Sequence, residues 1–314
     1  MTTLLIQQVL IMFLLAGIGY ICFRTKKITM EGCRTISNIL IYLSLPCVIM
    51  NSFLVEFSKE KLMGLVYSSL AAALVMVISI AVSHLFFSKD AILNFASSFS
   101  NPGFFGVPLI VATVSDGAVF YVAAFIAFAN LLQWSYGVAL LTIDTSGPKE
   151  KGAWKKLLPS PKRFFTAPFM IATLIGMFFF LTRLPMPTLV NKVIQYISGL
   201  NTPLAMFIIG IYLAQTKPAA MIKKRKLYVL SAVRLLLIPL VSMLVLFFLP
   251  AEFAEMKMAL LIAAACPTGS NVVVYAQLYD SDYSYAVETV IISTLLSIIT
   301  LPLIVQLADL VHFI

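Results

Sequence analysis

Two short runs hold the residue types best suited to handling a ligand. The first is Asn101-Pro102-Gly103, followed by Gly106 and Pro108; the second is Pro267-Thr268-Gly269-Ser270-Asn271. Each lies in the middle of an otherwise apolar stretch. Proline removes a backbone donor and clashes with the preceding turn, and glycine loosens a helix, so both runs predict a helix that breaks and restarts. The restarted half begins with free N–H groups at the positive end of its dipole, which favours an anion. Asn101, Thr268, Ser270 and Asn271 add neutral donors. At membrane depth, freed backbone groups are tolerated only where protein or a wet cavity satisfies them. Two interrupted spans at corresponding positions of two halves point to a transporter's substrate site. The competing reading is a pair of packing kinks, since Pro and Gly are common in membrane helices.

The remaining polar inventory is small. Asn130 and Gln133 lie three apart and share a helix face, where they line a cavity or bridge helices. Glu288 is the one acid clearly inside an apolar span, and Arg234 the one deep base. Both are candidates for ion coupling. Glu288 also reads as an interfacial residue paired with a base, and Arg234 as a support that binds backbone carbonyls near a helix break, pairs with Glu288 or contacts substrate. A cation path usually shows buried carboxylates; here amides, hydroxyls and helix ends dominate, which suits an organic anion. No GxxxxGK[ST], HExxH or paired-cysteine pattern occurs, so ATP-driven transport and a metal site lack support. No cofactor is expected, and coupling to H+ or Na+ is left open. Ser97 and Ser98 lack a nearby histidine, so the chain does not read as an enzyme. His84 and His312 read as interfacial, and Cys22, Cys33, Cys47 and Cys266 as small hydrophobes.

These residues must be held by membrane helices. Of 314 residues, 61% are hydrophobic and 11% charged, against about 45–50% and about 25% in soluble domains. Disorder and a water-soluble globule are both excluded. A bilayer core needs about 20 apolar residues per helix. On that criterion ten spans emerge, near 3–23, 34–54, 62–87, 91–114, 118–143, 166–184, 188–214, 227–249, 256–279 and 284–311. The expected fold is an all-α membrane protein. Five spans (1–143) precede a short basic linker (144–165) and five follow it (166–314). Five is odd, so the halves would enter the membrane from opposite sides as an inverted repeat. Pro46 to Pro203 and Pro108 to Pro267 are separated by 157 and 159 residues, which supports the correspondence. With the N-terminus outside, 16 of the 22 Lys and Arg fall on the inner side. By the positive-inside rule both termini then lie outside the cytoplasm. The net charge of +9 thus reflects orientation in the bilayer, and no nucleic acid is expected as a partner.

The motifs resemble a known family. NPGFFGVPL in span four is similar to the N-x-x-x-x-G-x-P-L signature of auxin efflux carriers, and CPTGSNVVVYAQLY in span nine resembles their second signature. TPLAMFIIGIYLA, AVRLLLIPL and STLLSIITLPL follow in the family's order. The resemblance implies ten helices as two inverted five-helix repeats with helices four and nine crossing. It also implies an elevator mechanism, in which spans one, two, six and seven form a scaffold and the rest move. A homodimer through helices 2 and 7 of the scaffold is implied too. Substrate would sit at the crossing, near Asn101, Gly106, Pro108 and Pro267 to Asn271, and bacterial members are described as malate or malonate permeases. Asn271 departs from the second proline of plant members, and the central loop is short. Both favour a small-carboxylate permease over a carrier of auxin-like acids. A sodium-coupled symporter of the related bile-acid type is the alternative, with a channel behind it.

Overall fold

The computed structural model describes residues 2–145, 165–216, 221–311 and 313. Most of the predicted linker, from 146 to 164, and His312 lie outside them. Every element among the described residues is helical. In chain order they are α1 (Thr2–Arg24), α2 (Met30–Phe53), α3 (Lys59–Phe87), α4 (Ala91–Ser98), α5 (Pro102–Thr113), α6 (Asp116–Thr142), α7 (Pro168–Thr182), α8 (Thr188–Gln215), α9 (Arg225–Phe247), α10 (Ala254–Ala265), α11 (Asn271–Leu278) and α12 (Tyr283–Leu310). Seven of them, α1, α2, α3, α6, α8, α9 and α12, are long and apolar enough to cross a membrane. Shorter apolar helices are α5 and α7.

Polar residues fix where the helices begin. Thr29, Ser58, Asp90 and Asp282 each accept a hydrogen bond from a backbone amide three residues on, satisfying one of the donors that a helix start leaves free. Prolines mark where helices deform. Wide π turns at Leu40–Ser44, Pro102–Gly106 and Val233–Leu237 each end two residues before a proline, Pro46, Pro108 and Pro239. The extra residue in the turn makes room for a ring that would otherwise strike the preceding carbonyl. A fourth π turn, Gln133–Gly137, has no proline after it.

The outside of the bundle is apolar. Leu14, Leu85, Leu189 and Phe248 are all more than 70% exposed, a surface compatible with lipid and not with water. The inside contains two packed groups. In one, α1 lies along α8 and α2 packs on α7 and α8. The α1–α8 approach is close: a Cβ on Gly19 would meet the Phe207 carbonyl oxygen at 2.5 Å, and one on Gly210 would strike the Ala16 carbonyl. Small residues let membrane helices meet backbone to backbone in this way. In the other group α3, α4 and α6 pack together, as do α9, α10 and α12, with α10 set against α3 and α6. The most enclosed elements are the short helices α4 and α10. Ile92 to Ser98 and Met256 to Ala265 are all buried.

Candidate functional site

The breaks after α4 and α10 meet in the buried interior. Ser100 and Thr268 form an isolated antiparallel bridge. The Asn101 amide donates to the Pro267 carbonyl at 2.9 Å, and the Gly269 amide donates to the Phe99 carbonyl at 2.9 Å. Each break thus satisfies backbone groups that the other frees, as burial demands. The Thr268 hydroxyl donates to the Ala96 carbonyl at 3.0 Å, and the Thr268 amide donates to the Ser293 hydroxyl at 3.2 Å. Thr268 is spent on structure. Gly269 is required by the contact: a Cβ there would stand 2.9 Å from the Ser100 carbonyl oxygen. Gly106 faces Cys266, whose Sγ would lie 3.0 Å from an added Cβ.

The restarted helices α5 and α11 begin beside a cavity of about 40 Å³, enough for water but tight for anything larger. Asn101, Asn130, Gln133, Gly269 and Asn271 line it, with Leu45, Ser100, Gly103 and Phe104. Asn101 caps the first turn of α5, its Oδ1 accepting from the Phe104 amide at 3.3 Å. Asn271, at the start of α11, donates from Nδ2 to Gln133 Oε1 at 2.7 Å. Asn130 turns its Nδ2 back onto the Ile126 carbonyl at 2.8 Å. The site therefore offers amide side chains and two helix N-termini, a neutral but electropositive surface. Gly106, Pro108, Pro267, Thr268 and Ser270 are buried at or beside the paired breaks, but they do not line the cavity.

The two ionisable candidates go to different places. Arg234 is 1% exposed and sits behind the breaks. Its Nη1 donates to the Ser97 carbonyl at 2.9 Å and approaches the Ser98 carbonyl, and its Nη2 bonds the Ala264 carbonyl. Glu288 does not reach it. Glu288 pairs with Lys224 at 2.6 Å, near the start of α12. His84 is exposed, its Nδ1 3.4 Å from both Asn94 Nδ2 and the Tyr136 hydroxyl. All four cysteines are free, with Cys33 and Cys266 buried.

Of the residues the sequence did not single out, Ser100 and Phe104 flank the first break and line the cavity, and two more arrive from elsewhere in the chain. Leu45 comes from α2, far away in the chain. Asn201, at the middle of α8, is buried and donates from Nδ2 to the Gly103 carbonyl at 3.0 Å. Its signal was present, a lone amide two residues before Pro203 in an apolar span. Its partner was not.

A helical bundle with an apolar exterior around two broken, mutually paired helices is an architecture suited to membrane transport. The chain belongs to the membrane transport protein family, whose model matches residues 4–305, and the auxin efflux carriers that its motifs resemble are members of it. It is 25% identical over 301 residues to a "Putative malonate transporter" of Rhizobium meliloti (strain 1021), covering 93% of this chain and 92% of that protein.

Proposed function

We propose that this protein is a secondary active transporter of small organic anions, with carboxylates such as malonate or malate as substrate, working by elevator-type alternating access. The observation that carries this reading is the pairing of the two breaks at Ser100 and Thr268. That pairing sets α5 and α11 with their N-termini against one cavity furnished with Asn101, Gln133 and Asn271. N–H groups and a positive dipole end favour a carboxylate, and the relative's name points to the same chemistry. The cavity is small, so loading requires the surrounding helices to move apart.

In this reading the helices make ten spans in two inverted repeats. Segments α4–α5 and α10–α11 each count as one broken span, α1 to α6 form the first half, and α7 to α12 the second. The two packed groups of the fold correspond to a scaffold (α1, α2, α7, α8) and a moving part. The protein would sit in the cell membrane with both termini outside the cytoplasm, as a homodimer joined through α2 and α8. Uptake of radiolabelled malonate into proteoliposomes tests the function. Asn101→Ala and Asn271→Ala should each lower uptake at subsaturating malonate by tenfold or more, on the order of one hydrogen bond to a charged group. Wild-type uptake with both variants unimpaired would move the site elsewhere.

A further inference from the structure

A fully buried arginine with no acid paired to it among the described residues needs an explanation. Guanidinium stays charged in proteins, and burying a charge is costly unless it is paired and hydrogen-bonded. The ion pairs formed among the described residues are Lys224–Glu288 and Lys226–Asp90; neither includes Arg234. What Arg234 has instead is carbonyl oxygen. Ser97 and Ser98 end α4, and Ala264 lies in the last turn of α10. Each helix C-terminus carries the equivalent of about half a negative charge. Two such ends meeting in a buried place call for about one positive charge, and one guanidinium supplies it. The placement depends on the π turn Val233–Leu237, which carries Arg234 ahead of Pro239.

Carbonyls at the ends of broken membrane helices are also what binds a coupling cation in other transporters. We propose that the Arg234 guanidinium is the resident cation of this crossing: it occupies the carbonyl site that a free sodium ion would otherwise take. The C-terminal ends are thereby neutralised from within. The N-terminal ends of α5 and α11 remain for an external ligand, which must then be an anion. Arg234 is a positioning residue that sets ion selectivity without touching substrate. The proposal rests on the transporter reading only for its consequence, that transport needs no sodium.

The test uses full-length purified protein and measures melting temperature, with no substrate present. Arg234→Ala should be destabilised. Millimolar guanidinium, and more weakly sodium, should raise its melting temperature saturably by several degrees, because a ligand of the folded state stabilises it. Wild type should show no such rise over N-methyl-D-glucamine at equal ionic strength. A purely structural arginine would leave Arg234→Ala weakened and indifferent to every cation, and that result overturns the proposal. So does an Arg234→Ala protein as stable as wild type. If Arg234→Ala does not fold, Arg234→Lys against Arg234→Met decides: lysine must melt higher, and methionine equal or higher overturns the idea. If no variant can be purified, wild type decides alone, since a saturable sodium-dependent rise overturns it and equal melting in both salts supports it. Malonate uptake is a separate arm, so its failure would remove the substrate assignment and leave these outcomes standing.

Discussion

Asn271 at the start of α11 and Gln133 on α6 share a 2.7 Å hydrogen bond across 138 residues of chain. Gln133 is buried, so its Oε1 depends on that donor. The bond ties one broken helix to an unbroken one beside the cavity. Removing one partner of a buried hydrogen bond costs about 1–3 kcal/mol, more than the bond itself contributes. Asn271→Ala should therefore destabilise the protein by about that much. Adding Gln133→Leu should cost less than the two single changes summed, because it removes the orphaned oxygen. Thermal unfolding of the four proteins in detergent measures this. Strict additivity would show that the bond does not form in solution.

Gly106 and Cys266 make a second testable pair. A Cβ on Gly106 would stand 3.0 Å from the Cys266 Sγ, tighter than ordinary packing, so the sulfur would have to give by a few tenths of an ångström. Gly106→Ala should destabilise by about 1–3 kcal/mol as an overpacking change. Cys266→Ala alone should cost about 1 kcal/mol or more through the small void it leaves in a fully buried place. The double variant should recover most of the loss, since the new methyl fills the space that the sulfur leaves. Melting temperatures of the three variants check this, and a double variant worse than either single change would mean that the contact is made by backbone instead.

Glu288 and Lys224 test the coupling question from the other side. Their ion pair is short at 2.6 Å, and the lysine side chain is 45% exposed. The half-exposed lysine brings the pair towards the surface range of about 1 kcal/mol or less, although Glu288 itself is buried. Glu288→Gln removes the buried charge and leaves the lysine able to reach water, so it should change stability by about 1 kcal/mol. Proton coupling through Glu288 would make malonate uptake by wild type rise with an imposed proton gradient and uptake by Glu288→Gln ignore it. The ion pair predicts instead that both respond alike, measured with and without a protonophore.

Much of the site was legible in the primary structure. Proline and glycine act on the backbone locally, so Pro102, Gly106, Pro108 and Pro267 announced the breaks without any knowledge of neighbours. The i, i+3 spacing of Asn130 and Gln133 placed both on one helix face but left open whether they line a cavity or bridge helices; in the structure both border the cavity, and Gln133 also bridges to Asn271. The π turn at Gln133–Gly137 was not legible, because no proline marks it. Thr268 shows the opposite limit. Its residue type reads as a ligand donor, yet its hydroxyl is taken by the Ala96 carbonyl.

Composition, the length of the apolar runs and the placement of Pro and Gly by themselves determined that this is a helical membrane protein with two interrupted helices, because transfer of apolar side chains to lipid and the geometry of proline depend on near neighbours in the chain. Which groups meet was decided only by the tertiary structure. Ser100 finds Thr268, Asn271 finds Gln133, Asn201 finds the Gly103 carbonyl, and Arg234 finds the ends of two helices rather than Glu288. Those partners lie from 30 to 168 residues apart. Hydrogen bonds and buried charges are satisfied by whatever packing brings within about 3 Å, and no spacing in the chain encodes that.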